Sequence, residues 1–148
     1  MKKVWGTVGL LVIAGIAAWA SGAVALKPGR YSVTTVMSMN GRNYPPNTQS
    51  RCITNKDLQD PRRIFNERFM ANFEPDPNCT ERNLKTDGSK ISYDEDCPTP
   101  AVSAHTVHVE GTVSESGYSA VRSVKPKSPR ALPFVYTISA KRTGDCTQ

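Results

Sequence analysis

The sequence has few of the side chains on which catalytic and metal sites depend. Its 148 residues include two histidines and four cysteines, and no two cysteines form a C-x-x-C pair. The G-x-S-x-G motif of a nucleophile elbow is also absent. His105 and His108 have opposite parity, so in a strand they point to opposite faces and do not bind one ion together. The sequence therefore predicts no catalytic residues, no metal site and no cofactor, and an enzyme is the least favoured function.

Long apolar runs are equally scarce, and the one that exists is near the start of the chain. Lys2 and Lys3 precede an apolar stretch over residues 4–20, and Ala23-Val24-Ala25 matches a small-x-small cleavage site. This predicts a bacterial signal peptide over residues 1–25, with an uncleaved membrane anchor as the alternative. Because no second such run, repeat or long linker is visible, we predict that residues 26–148 form a single β-rich domain that does not span a membrane. The location expected for it is the periplasm, or the medium.

Alternating apolar and polar residues dominate the predicted domain. The pattern is clearest over residues 31–39 and recurs over residues 104–113, 118–124 and 134–141. Such alternation is typical of half-buried strands in an antiparallel sheet. The predicted fold class is mainly β (α+β), with about seven strands in a meander. The alternation does not show whether the sheet is open and curved or closed into a barrel.

One segment has the pattern of an amphipathic helix that would pack on this sheet. Asp60 can cap the helix, and Pro61 suits its first position because a proline there loses no hydrogen bond. Phe65, Phe69 and Phe73 follow at i, i+4 and i+8, which places three rings on one helix face.

A hairpin is predicted between residues 79–85 and 90–97, around Asp87-Gly88. A two-residue turn on Asp87-Gly88 pairs Leu84 with Ile91. A three-residue turn centred on Gly88 instead sets Cys79 opposite Cys97, and Glu81 opposite Glu95. A bulge between the turn and the cysteines would satisfy both ends.

Four cysteines allow three disulfide pairings, and the sequence alone does not choose among them. The hairpin favours Cys79–Cys97, which leaves Cys52–Cys146. The rival interpretation is a zinc site made by all four thiolates. The missing C-x-x-C pair and the export signal, which implies oxidised thiols, argue against zinc.

A group of basic residues surrounds a proline-rich loop. Removal of residues 1–25, with Lys2 and Lys3, lowers the formal net charge from +6 to +4, which is too low and too scattered to suggest a nucleic-acid partner. The hypothesis is contact with an anionic group or an acidic partner, and the simpler interpretation is a loop kept hydrated by its charges. The basic residues concerned are Arg122, Lys125, Lys127 and Arg130.

Several short segments, in order, resemble a family of small exported bacterial proteins, the domain of unknown function family 3617. They are KPGRYSV at residues 27–33, TQSRCIT at 48–54, SY at 92–93 ahead of Cys97, and GDC at 144–146. The chain departs from the family at Tyr31, where tryptophan is frequent, and in the loop at residues 40–46. The resemblance implies a periplasmic, disulfide-bonded β domain and implies no activity.

These observations favour a non-enzymatic binding or interaction module. A curved sheet with a helix across it can bury a small apolar ligand or present an edge strand to an envelope protein. The alternative is a structural or assembly factor of the cell envelope that acts through the basic loop at residues 122–130.

Overall fold

The computed structural model describes residues 26–65, 75–98, 100 and 103–147, and within them the chain is mostly β-strand, as predicted. Residues 1–25, which carry the predicted signal peptide, lie outside the described residues, and so do Phe69 and Phe73. The strands are β1 (Gly29–Met39), β2 (Arg42–Asn43), β3 (Asn47–Ile53), β4 (Thr80–Asp87), β5 (Lys90–Cys97), β6 (His105–Ser114), β7 (Gly117–Pro126) and β8 (Phe134–Gly144). A 3₁₀ turn (Asp57–Gln59) and a helix, α1 (Pro61–Ile64), lie between β3 and β4.

All eight strands belong to one antiparallel sheet. Its order is β2-β1-β8-β7-β6-β5-β4, and β3 also pairs with β1. The meander prediction is therefore confirmed, with eight strands instead of about seven. The sheet is curved, because the rings of Tyr31 on β1 and Tyr118 on β7 lie 5.8 Å apart although β8 separates their strands. Among the described strands it does not close into a barrel.

The concave side of the sheet, called here the inner face, carries the core. Alternate residues of each long strand are buried there, as the period-two pattern predicts. On β7, for example, Tyr118, Ala120 and Val124 are buried, whereas Val121 is exposed on the opposite, outer face. Burial on one side fixes the strand register, because a slip by one residue would exchange the two faces.

The helical segment covers one end of the inner face, called here the closed end. Asp60 caps α1 as predicted, because its carboxylate accepts a hydrogen bond from the backbone N–H of Arg62 at 2.9 Å. Ile64 and Phe65 are fully buried, and the Phe65 ring packs edge-on against Tyr118 at 5.8 Å. A Cβ atom at Gly111 would lie 2.8 Å from the Phe65 ring, so glycine is needed for this close packing.

The opposite end of the inner face is called here the mouth end. There β1, β5 and β7 end and β6 and β8 begin, as the pairings Met39↔Phe134 and Cys97↔His105 show. The chain has eleven prolines, and all except Pro28 and Pro61 lie in the loops and strand ends on this side. Among the described residues, no helix combines the length and the apolar character needed to cross a bilayer.

The β4–β5 hairpin combines features of both predicted registers. Asp87 pairs with Lys90, so the two-residue turn is Gly88-Ser89 and not Asp87-Gly88, and Leu84 does not face Ile91. The predicted bulge is present, between Arg82 and Lys85, and Asn83 occupies it with φ of +57°. Asparagine tolerates this left-handed conformation better than most residues. The bulge restores the register in which Glu81 faces Glu95.

The sheet has one disulfide at each of its two ends. Cys79–Cys97 joins β4 and β5 at the mouth end, with Cα atoms 4.2 Å apart. Cys52–Cys146 joins β3 to the segment after β8 at the closed end, with Cα atoms 5.7 Å apart. This is the pairing that the hairpin favours.

Candidate ligand-binding cavity

A cavity of about 580 Å³ opens on the inner face at the mouth end. Its wall is largely apolar, and the rings of Phe134 and Tyr136 meet edge to face at 5.5 Å on one side of it. Proline and alanine form part of its rim, at Pro45, Pro126 and Ala131. Sites of this size and composition are typical of pockets for small molecules. The apolar wall residues are Met37, Val107, Val124, Phe134 and Tyr136.

In the described part of the chain, the helical segment covers the closed end of the inner face and contributes no residue to the lining of the cavity. Phe65 fills the inner face opposite Gly111, in the middle of β6. The inner-face residue of β6 nearest the mouth is His105, which lines the cavity. Among the described residues, the inner face of β6 thus packs against Phe65 near Gly111 and lines the cavity near His105.

A buried ion pair separates the filled and empty halves. The guanidinium of Arg122 on β7 lies 3.2 Å from the carboxylate of Glu95 on β5, with both side chains less than a tenth exposed. The same guanidinium donates a hydrogen bond to the carbonyl of Phe65 at 3.1 Å. Since each charge is neutralised by its partner, the ion pair presents no net charge to the cavity.

A second basic residue makes the predicted Glu81–Glu95 juxtaposition tolerable. The side chain of Arg62 lies 3.7 Å from Glu81, while Arg122 neutralises Glu95. Burial raises the pKa of the Glu81 carboxyl, and the nearby carboxylates Asp60 and Glu95 raise it further, while Arg62 opposes them. Each of the two facing carboxylates therefore has its own arginine nearby, which reduces the repulsion between them.

The polar residues of the cavity lining are Thr35, Asn47, Asp76, Ser103, His105 and Arg122. Thr35 and His105 belong to the inner face of the strands. Thr35 on β1 is 6% exposed, and its hydroxyl has no hydrogen-bond partner in the described part of the chain. The Nδ1 atom of His105 lies 2.7 Å from the carbonyl oxygen of Ser103. In the neutral imidazole this geometry places the proton on Nδ1, which leaves Nε2 as a hydrogen-bond acceptor.

His105 also lies beside the sulfur atoms of Cys79 and Cys97, all within 4.8 Å of one another. A thiolate is the form of cysteine that binds metal ions, and here the two sulfurs are joined in a disulfide. In this state the group offers one imidazole and no thiolate.

The four basic residues singled out in the sequence do not form one exposed surface. Arg122 is buried on the inner face, in the ion pair with Glu95. Lys127 binds Asp96, with Nζ 2.7 Å from the carboxylate. Lys125 and Arg130 are exposed. The basic loop therefore carries less exposed charge than its sequence suggests.

The outer face carries an imidazole–carboxylate pair that the sequence analysis missed. The Nδ1 atom of His108 lies 2.6 Å from Asp94 on β5, and Asn83 donates to the second oxygen of that carboxylate. Hydrogen bonding to Asp94 raises the pKa of His108, and the bonds from Asn83 and His108 lower the pKa of Asp94. About half of each side chain is exposed, and Nε2 of His108 faces Glu110 at 3.6 Å. No nucleophile is bonded to this imidazole among the described residues, although Ser123 is its neighbour on β7.

A comparison with known protein families identifies the family of this chain. The family model described as "Protein of unknown function (DUF3617)" matches residues 26–146. The chain belongs to this family. The range matched by the DUF3617 model includes all eight strands and all four cysteines. No curated protein and no solved structure matches the chain.

The sequence contained a signal for the position of Arg122 in this DUF3617 domain. Arg122 has the same parity as Tyr118, Ala120 and Val124, so the alternation places it on the buried face of β7. Grouping it with Lys125 by proximity in sequence overlooked that parity. The contact between His108 and Asp94 depends on the β5–β6 register, which no local pattern specifies.

Proposed function

We propose that this domain is a non-enzymatic binding module of the bacterial periplasm, and that the mouth-end cavity holds a small apolar ligand. The observation that carries the proposal is the cavity itself. It has about 580 Å³ of space, an apolar wall, and a charge pair that is already neutralised. Burial of an apolar molecule against such a wall is favourable in proportion to the apolar area removed from water.

The location in the periplasm is supported by two independent features. Residues 1–25 have the composition of a signal peptide, and two disulfides persist most readily in an oxidising compartment. The alternative function, an envelope assembly factor that acts through residues 122–130, has a weaker basis. Only Lys125 and Arg130 of its four basic residues combine exposure with no carboxylate partner among the ion pairs described.

The first test is intact mass spectrometry of protein purified from a periplasmic extract, under native and then denaturing conditions. The denatured mass should correspond to a chain cleaved before Leu26 that lacks four hydrogens. We expect the native mass to exceed it by a molecule that is lost on denaturation. A bare native mass, together with failure to bind an apolar fluorophore such as N-phenyl-1-naphthylamine, would refute the ligand-binding proposal.

A matched pair of variants then locates the site. Val124→Phe fills the cavity from β7, whereas Val121→Phe adds the same ring to the exposed outer face of that strand. We expect the first to weaken fluorophore binding at least tenfold and the second to leave it unchanged. Ala131→Trp narrows the rim without changing the core, and it should have the effect of Val124→Phe if that variant does not fold.

A further inference from the structure

We infer that the ligand of the cavity is a neutral amphiphile with a hydrogen-bonding head group, such as an alcohol, which the hydroxyl of Thr35 binds. The inference rests on the proposed ligand-binding function and specifies the chemical class of the ligand.

An anionic head group would meet no free cation at this wall. The guanidinium of Arg122 is directed to Glu95 at 3.2 Å and to the carbonyl of Phe65 at 3.1 Å. A carboxylate ligand could reach Arg122 only by displacing Glu95. That would leave a buried carboxylate without its partner, which is strongly unfavourable. A cationic head group would be repelled by Arg122 if it displaced the arginine from Glu95. The other carboxylate of the lining, Asp76, already accepts a hydrogen bond from the backbone N–H of Asn78 at 2.9 Å.

The hydroxyl of Thr35 is an uncharged polar group of the cavity lining that lacks a hydrogen-bond partner among the described residues. Thr35 shares the inner face of β1 with Tyr31, Val33 and Met37, and both Thr35 and Met37 line the cavity. Its Oγ1 atom is buried and makes no hydrogen bond to the described residues. Buried polar groups almost always have a partner, because desolvation without one is unfavourable. Oγ1 is closed to solvent, so the Thr35 side chain must rotate about χ1 to turn its hydroxyl to the cavity. A ligand with a hydroxyl or carbonyl group would then supply the missing hydrogen bond, while its chain packs against Val107, Val124 and Phe134.

The test compares ligands that share a chain and differ in the charge of the head group. Decanol, decanoate and decyltrimethylammonium are titrated at pH 7.4 against protein loaded with N-phenyl-1-naphthylamine. We expect decanol to displace the fluorophore at a concentration at least ten times lower than either charged ligand. Tighter displacement by a charged ligand would overturn the inference.

Thr35→Val replaces the hydroxyl with a methyl group of similar size. The variant distinguishes a hydrogen bond to the head group from burial of the apolar chain. We expect the affinity for decanol to fall about five- to tenfold, and the affinity for the fluorophore to stay unchanged. Because the variant removes an unpaired buried hydroxyl, Tm without ligand should rise by about 2–5 °C. Thr34→Val, on the opposite face of the same strand, is the control. Its hydroxyl bonds Thr48 at 2.8 Å, so this variant should lower Tm slightly and leave decanol binding unchanged.

The outcomes distinguish this inference from the function on which it rests. If the fluorophore binds but Thr35→Val leaves decanol affinity unchanged or lowers Tm, the hydroxyl has a structural role and the inference is wrong, while the binding function stands. If the fluorophore does not bind the wild-type protein, both are wrong.

Discussion

The two ends of the inner face are built from the same strands but are filled differently. At the closed end Ile64 and Phe65 are buried on the inner face, and even a methyl group at Gly111 would collide with the Phe65 ring. At the mouth end the same strands enclose about 580 Å³ of space. The comparison teaches that the sheet does not by itself determine where the core is filled. Among the described residues, the short helical segment between β3 and β4 is what fills the closed end.

The disulfides should show the largest difference between the two ends. Cys52–Cys146 closes a loop with a sequence separation of 94, whereas Cys79–Cys97 spans 18. Replacing both members of the first pair with alanine should lower the free energy of unfolding by about 4–5 kcal/mol, and replacing the second pair by about 3 kcal/mol. Urea denaturation under non-reducing conditions measures both values.

The two disulfide variants, once folded, should also differ in their affinity for the fluorophore. The mouth-end variant changes a strand pair beside the cavity and should bind more weakly, whereas the closed-end variant should bind normally once folded. The reverse order of stability or of binding would mean that the two ends are not organised as described.

The next largest effect is expected from small increases in side-chain size, which should lower stability at the closed end and not at the mouth end. A Cβ at Gly111 would lie 2.8 Å and 3.0 Å from two atoms of the Phe65 ring, so Gly111→Ala should destabilise the protein by about 1–3 kcal/mol. The sign is diagnostic, because alanine is otherwise more favourable than glycine in a strand by about 0.5–1 kcal/mol. Val124→Ile, which adds a methylene group towards the cavity, should change stability by less than about 1 kcal/mol. Equal thermal shifts for the two variants would contradict the distinction between a filled and an empty end.

The smallest effect on the free energy of unfolding is expected from the His108–Asp94 pair. This pair lies on the outer face, away from both ends of the inner face. The pKa of His108 is raised by Asp94, so its stabilising contribution is complete below the unfolded-state pKa and is lost as the pH rises through the folded-state value. Because half of the side chain is exposed, the loss between about pH 6 and pH 8.5 should be under about 1 kcal/mol.

Unfolding of wild-type protein and His108→Gln at those two pH values measures this contribution. The variant should lose the pH-dependent part while its fluorophore affinity stays normal, and Asp94→Asn should lose the same part. An unchanged pH dependence in both variants would show that the pair does not form in solution. Asp94 itself has the opposite sign, since its pKa is lowered and its contribution is lost as the pH falls through the folded value.

The sequence predicts the strands of this fold well because apolar and polar residues alternate along a half-buried strand with a period of two. The buried face of β7 can be taken directly from Tyr118, Ala120 and Val124. The start of α1 is equally local, since Asp60 and Pro61 act within one turn. The extent of the helix beyond Phe65 remains a prediction, because it concerns residues outside the described ranges.

Features that depend on register could not be predicted in the same way. The hairpin turn lies on Gly88-Ser89, one residue beyond the expected site, because the bulge at Asn83 absorbs the shift. The Arg122–Glu95 and His108–Asp94 contacts join residues on different strands, at separations of 27 and 14 positions. The cavity is still less local, because its wall combines side chains from β1, β6, β7 and β8.

The prolines of the mouth end have a consequence for the thermodynamics of binding. A proline has a fixed φ angle, so the loops around the cavity lose little backbone freedom when a ligand enters. The conformational entropy of the rim is therefore lost mainly when the chain folds, and little of it is left to lose when a ligand binds. Association should then be controlled by desolvation of the apolar wall, with a negative heat-capacity change proportional to the area that the ligand covers.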